Sequence, residues 1–165
     1  MKSNTRHLIA IVGIGLGLMM PLNMVFTDSQ YLAVAASSCH TVALEAHVTG
    51  EFPEFSGVLT GDLQGTVDVV LDGEETSTGV VLHGSGEETW VISGGTIPAL
   101  VGRTLTSVFT FVQPSAPGPG DTSLINGTYR IVEGVQKGNL TFHAIFNASV
   151  LPFTVDSKYR GVVCP

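Results

Sequence analysis

Apolar and polar residues alternate along residues 55–72 of the chain. Every odd position there is apolar or glycine, and the even positions are polar apart from Val58 and Val70. Successive side chains of a β-strand point to opposite faces, so this alternation predicts a sheet with one buried face. No segment after residue 37 has the apolar period of a helix, and Val, Thr, Ile and Phe dominate between the glycines. The domain is therefore predicted to be all-β.

Every odd-numbered position throughout residues 55–72 is apolar or glycine, and this limits how the segment can turn. A two-residue hairpin loop exchanges odd for even positions, and because no exchange occurs, a tight hairpin here is disfavoured. A single straight strand would be about 60 Å long, too long for a small domain. The remaining interpretation is a coiled strand, or two strands joined at a corner. Gly57, Gly61 and Gly65 fall on inward positions, where missing side chains let a sheet curl into a barrel wall.

The same alternation predicts the other strands of the domain. A short strand ending at a Gly84-Ser85-Gly86 turn is expected before the strand that holds Trp90 and Ile92. Residues 114–121, rich in proline and glycine, are expected to form an exposed loop. Together the strands number about eight, which predicts a closed antiparallel barrel with a calycin-like architecture. Their markers are Val42, Leu44, Ala46 and Val48; residues 55–72; Val80 and Leu82; Trp90 and Ile92; and residues 103–112, 127–133, 139–147 and 153–164.

The first 36 residues differ from the rest of the chain. Lys2 and Arg6 precede an uncharged apolar stretch over residues 8–22, and Ala33-Val34-Ala35 matches the small-x-small pattern of signal peptidase sites. This predicts a signal peptide over residues 1–36 and a single secreted, extracytoplasmic domain over residues 37–165. The alternatives are an uncleaved membrane anchor and, since residues 36–39 loosely resemble a lipobox, a lipoprotein.

Cys39 and Cys164 lie at the two ends of this domain. An even pair of cysteines in an exported protein indicates a disulfide. The alternation places both cysteines on the outward face, one starting the first strand and one ending the last. These points meet if the terminal strands are antiparallel neighbours, as in a closed barrel with an even number of strands. The alternative is that two chain ends simply lie close together.

The acidic charge balance of the domain argues against two classes of binding partner. Without Lys2, Arg6 and Asp28, the seven basic and fourteen acidic residues of the chain fall to five and thirteen. So few scattered positive charges cannot form a phosphate-binding stripe, which argues against nucleic acid and against an anionic membrane surface. We therefore expect no stable membrane association after cleavage. The oligomeric state is left open.

The chemical motifs of the sequence leave the catalytic residues unknown. No Cys or His pair has metal-ligand spacing, and no nucleophile elbow, phosphate loop or dinucleotide motif occurs, so neither a metal nor a cofactor is predicted. The four histidines of the domain are expected to point outward. The acidic residues of 72–75 and the pair Glu87-Glu88 are interpreted as solvated turns. The histidines are His40, His47, His83 and His143.

The inner face of the predicted barrel is the remaining candidate site. It is expected to be apolar, with Ser107 and Tyr159 as polar exceptions. An eight-stranded barrel can be filled by its own side chains or can hold one small ligand, which here would be apolar and oriented by a few polar groups. The ligand-binding candidates are Trp90, Phe109, Phe111, Phe142, Phe146 and Tyr159, and other inward positions are Leu59, Leu63, Val67, Val69, Leu71, Ile92 and Phe153.

Three glycine-punctuated stretches, at residues 55–63, 129–140 and 159–164, resemble the strands of allene oxide cyclase barrel-like proteins. The related dirigent proteins are secreted and join their chain ends by one disulfide, which Cys39 and Cys164 would match. The resemblance implies an eight-stranded barrel with an apolar lumen that shapes a reactive substrate during cyclisation or coupling. Its motifs are glycines and aromatic residues, which specify fold, so no catalytic residue is transferred.

Two functions are consistent with these observations. The barrel binds an apolar small molecule, with isomerase or cyclase activity as an extension. Alternatively, it is a non-catalytic β-sandwich or filled barrel that acts through its surface as an adhesion or envelope module. An open mouth near residues 114–121 favours the first function, and a lumen blocked by Trp90 and the phenylalanines favours the second.

Overall fold

The structure, a computed structural model, describes residues 38–72, 76–77, 81–114 and 121–165. The predicted signal peptide, Val80, residues 73–75 and most of the predicted 114–121 loop lie outside the described residues. Nine strands and one short 3₁₀ turn, Pro98–Leu100, are present in the described part of the chain. None of its helical segments is long and apolar enough to cross a membrane. The strands are β1 His40–Glu51, β2 Glu54–Gly61, β3 Leu63–Leu71, β4 Thr76–Ser77, β5 Leu82–Gly95, β6 Thr104–Gln113, β7 Thr122–Glu133, β8 Lys137–Asn147 and β9 Phe153–Cys164.

Eight of these strands form a closed antiparallel barrel. Each pairs with its neighbours along the chain, β3 pairs with β5, and β1 pairs with β9, so the sheet closes on itself. The two-residue strand β4 pairs only with the start of β5. Inward positions alternate with more exposed ones along most of each barrel strand. The predicted all-β, closed eight-stranded fold is confirmed.

The coiled strand or corner predicted for residues 55–72 is wrong, although the two-residue hairpin loop that the alternation disfavoured is indeed absent. Strands β2 and β3 are an antiparallel pair in which Phe55 lies opposite Val69 and Leu59 lies opposite Gly65. An odd number of residues lies between Leu59 and Gly65, so odd-numbered positions face inward on both strands. A two-residue loop would have turned the odd-numbered positions of the second strand outward. Gly61 lies in this connection with a φ of 101°, a conformation that favours glycine.

The predicted turn at Gly84-Ser85-Gly86 is also wrong, because β5 runs without interruption through these residues. Gly84 lies opposite Phe111 and Gly86 lies opposite Phe109 on β6. A Cβ atom at Gly84 would lie 2.3 Å from the Phe111 ring, and one at Gly86 would lie 2.6 Å from the Phe109 ring. The glycines therefore make room for two aromatic rings instead of reversing the chain.

The predicted Cys39–Cys164 disulfide is present, and the terminal strands are antiparallel neighbours as expected. His40 lies opposite Val163, so the same register brings the two cysteines face to face. Cys39 is exposed, whereas Cys164 is buried, although the alternation places it outward. The turn between β7 and β8 lies against it, since the Gln136 N–H donates a hydrogen bond to the Cys164 carbonyl.

The half of the barrel nearest the disulfide is filled by buried side chains. Large apolar side chains from the strand ends and from the 3₁₀ turn meet there, and the indole of Trp90 is fully buried among them. This packing closes one end of the lumen. The residues are Leu63, Trp90, Ile92, Ile97, Leu100, Leu105 and Val163.

Candidate functional site

The opposite half of the barrel holds a cavity of about 540 Å³. Its walls come from the inward positions of the barrel strands, and its mouth lies at the end opposite the disulfide. The lining is mostly aliphatic and aromatic, with three polar residues that are buried: Glu88, Gln113 and Ser157. The aliphatic and aromatic lining residues, which include two tyrosines, are Val48, Phe52, Phe55, Val69, Leu71, Leu82, Phe109, Phe111, Ile125, Tyr129, Phe142, Ala144, Phe146, Ala148, Leu151, Phe153, Val155 and Tyr159.

The cavity stays open because its large rings lie against the barrel wall. A Cβ atom at Gly127 on β7 would lie 2.1 Å from the Phe142 ring, so this ring, like those of Phe109 and Phe111, occupies the place of a missing side chain. Rings that fill glycine gaps leave the centre of the lumen unfilled. This is the physical reason why so many phenylalanines do not block the barrel.

Five of the six ligand-binding candidates from the sequence line the cavity, and one does not. Phe109, Phe111, Phe142, Phe146 and Tyr159 all contribute to its wall. Trp90 lies below the cavity, in the packed half. Its ring centroid is 5.7 Å from that of Tyr159, so it supports the floor without lining it.

Sequence reasoning missed Tyr129, which lies at the centre of the aromatic cluster. Its ring centroid is 4.8 Å from those of Phe109 and Phe142 and 5.1 Å from that of Tyr159. The signal that could have found it is the alternation of β7, where Tyr129 shares its parity with Gly127 and with the buried Ile131.

Sequence reasoning also placed Glu88 wrongly. It was expected in a solvated turn, but its side chain is 0% exposed and lies at the floor of the cavity. Because β5 continues through this region, Glu88 shares the inward parity of Trp90 and Ile92, while its neighbour Glu87 points outward and is exposed. The Tyr159 hydroxyl donates a hydrogen bond of 3.0 Å to Glu88 Oε1. The Ser107 hydroxyl donates to the backbone carbonyl of Glu88 at 3.1 Å.

Burial raises the pKa of Glu88 to about 7, because an ionised carboxylate loses the solvation of water. The nearby Tyr129 and Tyr159 hydroxyls and the Trp90 indole favour the ionised form and oppose this shift in the pKa of Glu88. Only Tyr159 makes a hydrogen bond of ordinary geometry, and neither Glu88 Oε2 nor Trp90 Nε1 has a hydrogen-bond partner in the described part of the chain. Burial beside Glu88 also raises the pKa of both tyrosines, so both phenols are neutral at physiological pH.

A carboxyl group with a pKa near neutrality can donate or accept a proton at physiological pH. Glu88 is the one ionisable carboxyl among the described residues that line the cavity, and none of those residues is Lys, Arg or His. The site therefore combines an apolar chamber with one acidic group at its floor. Gln113, whose Nε2 has no partner among the described residues, adds a second polar group.

The histidines do not contribute to the cavity. His47, His83 and His143 are exposed on the outer face and His40 is half-buried, which agrees with the alternation. His47 Nδ1 lies 2.6 Å from Asp156 Oδ1 on the neighbouring strand, and His143 Nδ1 contacts the Asn126 side-chain oxygen.

The cavity and its buried acid are thus built from side chains of all eight barrel strands. Comparison with known proteins adds no assignment to this geometry. No protein-family model, no curated protein and no solved structure matches the chain.

Proposed function

We propose that this barrel binds an apolar small molecule in the open half of its lumen. The observation that carries the proposal is the cavity of about 540 Å³ with a mostly apolar lining. Its volume lies in the range of small-molecule sites, which are concave, largely apolar and provided with a few polar groups. Ser157, Tyr159 and Glu88 are the polar groups that would orient the ligand at the floor.

Two exposed apolar side chains favour an entrance at the mouth. Phe52 is 52% exposed and Leu151 is 67% exposed, yet both also line the cavity. Large apolar side chains that remain in water mark a contact surface when they adjoin a pocket. An apolar ligand would pass between them on its way into the lumen.

The resemblance to allene oxide cyclase barrel-like proteins supports a finer form of the proposal, in which the lumen folds a reactive ligand for isomerisation or cyclisation. A confined chamber lowers the entropic cost of bringing two parts of one molecule together. Glu88 adds a group whose pKa suits proton transfer at neutral pH.

We also propose that the domain is exported. Disulfides form and persist in oxidising compartments, and the Cys39–Cys164 bond is compatible with that environment. The signal-peptide pattern of residues 1–36 supports the same conclusion. The cavity favours the ligand-binding function over a filled barrel that acts only through its surface.

Binding of the neutral probe pyrene tests the proposal. We expect the folded protein to bind pyrene with roughly micromolar affinity, about −8 kcal/mol. Phe142→Ala removes a ring that lines the cavity, and we expect pyrene affinity to fall about tenfold, because a phenyl side chain contributes roughly 1.5 to 3 kcal/mol of apolar contact. The measurement is pyrene fluorescence during titration with protein.

His143→Ala is the matched control, since His143 is the next residue on β8 and points outward. Its pyrene affinity is expected to equal that of the wild type. Thermal melting of each variant separates loss of binding from loss of fold. If no pyrene binds to the folded wild type, or if only the His143 variant loses binding, the ligand-binding proposal is wrong.

A further inference from the structure

We infer that the ligand of this cavity is an apolar amine, whose protonated nitrogen pairs with the Glu88 carboxylate at the cavity floor. This inference rests on the proposed function and names its ligand class. The observations behind it are the incomplete hydrogen bonding of Glu88, the absence of a basic side chain among the described lining residues, and the aromatic rings around the floor.

One oxygen of the Glu88 carboxyl has no hydrogen bond of ordinary geometry, although the Tyr129 hydroxyl and the Trp90 indole lie nearby. Oε1 accepts the hydrogen bond from Tyr159, whereas Oε2 is buried with no partner among the described residues. An unpaired polar atom in an apolar interior is destabilising, so buried carboxylates are normally paired with a cation or fully hydrogen-bonded. The terminal torsion of a glutamate side chain is broad, so a small rotation can turn Oε2 toward a ligand in the lumen.

The surrounding strands do not supply the missing positive charge. The side chains opposite Glu88 on the adjacent strands are Val69 of β3 and Ser107 of β6. The titratable groups that face it across the lumen are the Tyr129 and Tyr159 hydroxyls, from β7 and β9. Both are neutral donors. A cation at this floor must therefore come from the ligand.

The floor also suits a cation because aromatic rings are clustered beside it. The Tyr129, Tyr159 and Phe142 rings form one cluster, with Tyr129 centroid distances of 4.8 Å to Phe142 and 5.1 Å to Tyr159. Ring faces attract ammonium groups, and the attraction is strongest where water is excluded. The same rings contact the apolar remainder of the ligand.

An anionic ligand would be disfavoured at this site. A ligand carboxylate would meet Glu88 without a compensating charge, and the chain as a whole carries a net charge of −7. A neutral ligand oxygen could accept a hydrogen bond only from the protonated form of Glu88. That alternative predicts the opposite response to pH, so experiment can separate it from the amine.

The sign of the pH dependence follows from the ionisation of Glu88. Its pKa is raised to about 7 by burial, so the carboxylate that pairs with an ammonium group forms as pH rises through this value. A primary alkylamine, with a pKa near that of lysine at about 10.4, stays protonated over this range. Amine affinity should therefore increase from about pH 5.5 to about pH 8, with release of a proton from Glu88 on binding at the lower end.

Three ligands that share one alkyl chain test the inference: decylamine, decanol and decanoate, each measured by displacement of pyrene or by calorimetry. At about pH 8 we expect wild-type protein to bind decylamine about tenfold or more tightly than decanol, because charge-assisted hydrogen bonds are the strong ones. Decanoate should bind more weakly than decanol. Lowering the pH to about 5.5 should reduce the preference for the amine.

The variant Glu88→Gln keeps the shape of the side chain and removes its charge, so folded Glu88→Gln should lose the preference for decylamine over decanol. The matched control is Glu87→Gln on the outer face of the same strand, which should retain the wild-type preference. An amine preference that survives in folded Glu88→Gln, or a wild type that prefers decanol at both pH values, overturns the inference and leaves the proposed function intact. Failure of all three ligands and of pyrene overturns both. The pH series on wild-type protein does not depend on the folding of any variant.

Discussion

Replacing Cys39 and Cys164 together by serine is expected to lower the free energy of unfolding by about 4–5 kcal/mol, if chain entropy dominates. The disulfide closes a loop with a sequence separation of 125, so its loss greatly increases the freedom of the unfolded chain. Domains of this size are stable by only about 5–15 kcal/mol. The double variant should therefore be only marginally stable at physiological temperature.

Urea unfolding of the oxidised protein and of the double variant provides the measurement. The barrel should still close in the variant, because β1 and β9 remain paired from His40 opposite Val163 to Gly50 opposite Phe153. We therefore expect native-like circular dichroism and a lower urea midpoint. Equal midpoints for the two proteins would show that the bond contributes nothing to closing the barrel.

The stability of the wild type should fall with rising pH because of Glu88, and Glu88→Gln should remove this fall. The folded-state pKa is raised from 4.5 to about 7, so the folded state holds a proton that the unfolded state has already lost in this interval. The free energy of unfolding therefore decreases as pH rises from about 4.5 to about 7 and then levels off. A shift of this size corresponds to about 3 kcal/mol.

The quantity to measure is the difference in unfolding free energy between Glu88→Gln and wild type, at about pH 4 and about pH 8. Between the two pH values, this difference should shift by about 3 kcal/mol, with the variant relatively more stable at the higher pH. Any effect of the buried glutamine amide itself is independent of pH and does not alter this shift. The other carboxyl groups cancel in this difference. Glu87→Gln should show no such change, since its side chain is exposed. A constant difference across this pH range would mean that Glu88 is not a buried acid.

Much of the fold could be predicted from alternation alone. The inward parity of β1, β2, β3 and β6 is visible in the sequence, and the parity of the two cysteines correctly predicted neighbouring terminal strands. Parity does not reveal how the strands connect. An odd number of loop residues kept the parity of β2 and β3 unchanged, and the hairpin between them was therefore missed.

The candidate site was harder to predict because it depends on contacts between distant strands. Glu88 has the parity of Trp90, but an acidic pair beside glycines is typical of a turn, and its hydrogen bond from Tyr159 joins strands that are distant in sequence. The open lumen depends in the same way on register. The Phe142 ring leaves the centre of the lumen open because Gly127, opposite it on the neighbouring strand, makes room for the ring at the wall.

Filling the cavity is the most direct test of the claim that the lumen binds an apolar ligand. Ala144 is buried on the inner face of β8 and lines the cavity, whereas its neighbour Ile145 points outward and is exposed. Ala144→Trp should occupy the space that a ligand needs, and Ile145→Trp serves as the control for the added indole. We predict that Ala144→Trp melts no lower than Ile145→Trp and binds pyrene at least about tenfold more weakly, while Ile145→Trp binds like the wild type. A folded Ala144→Trp variant with wild-type pyrene affinity would contradict the account.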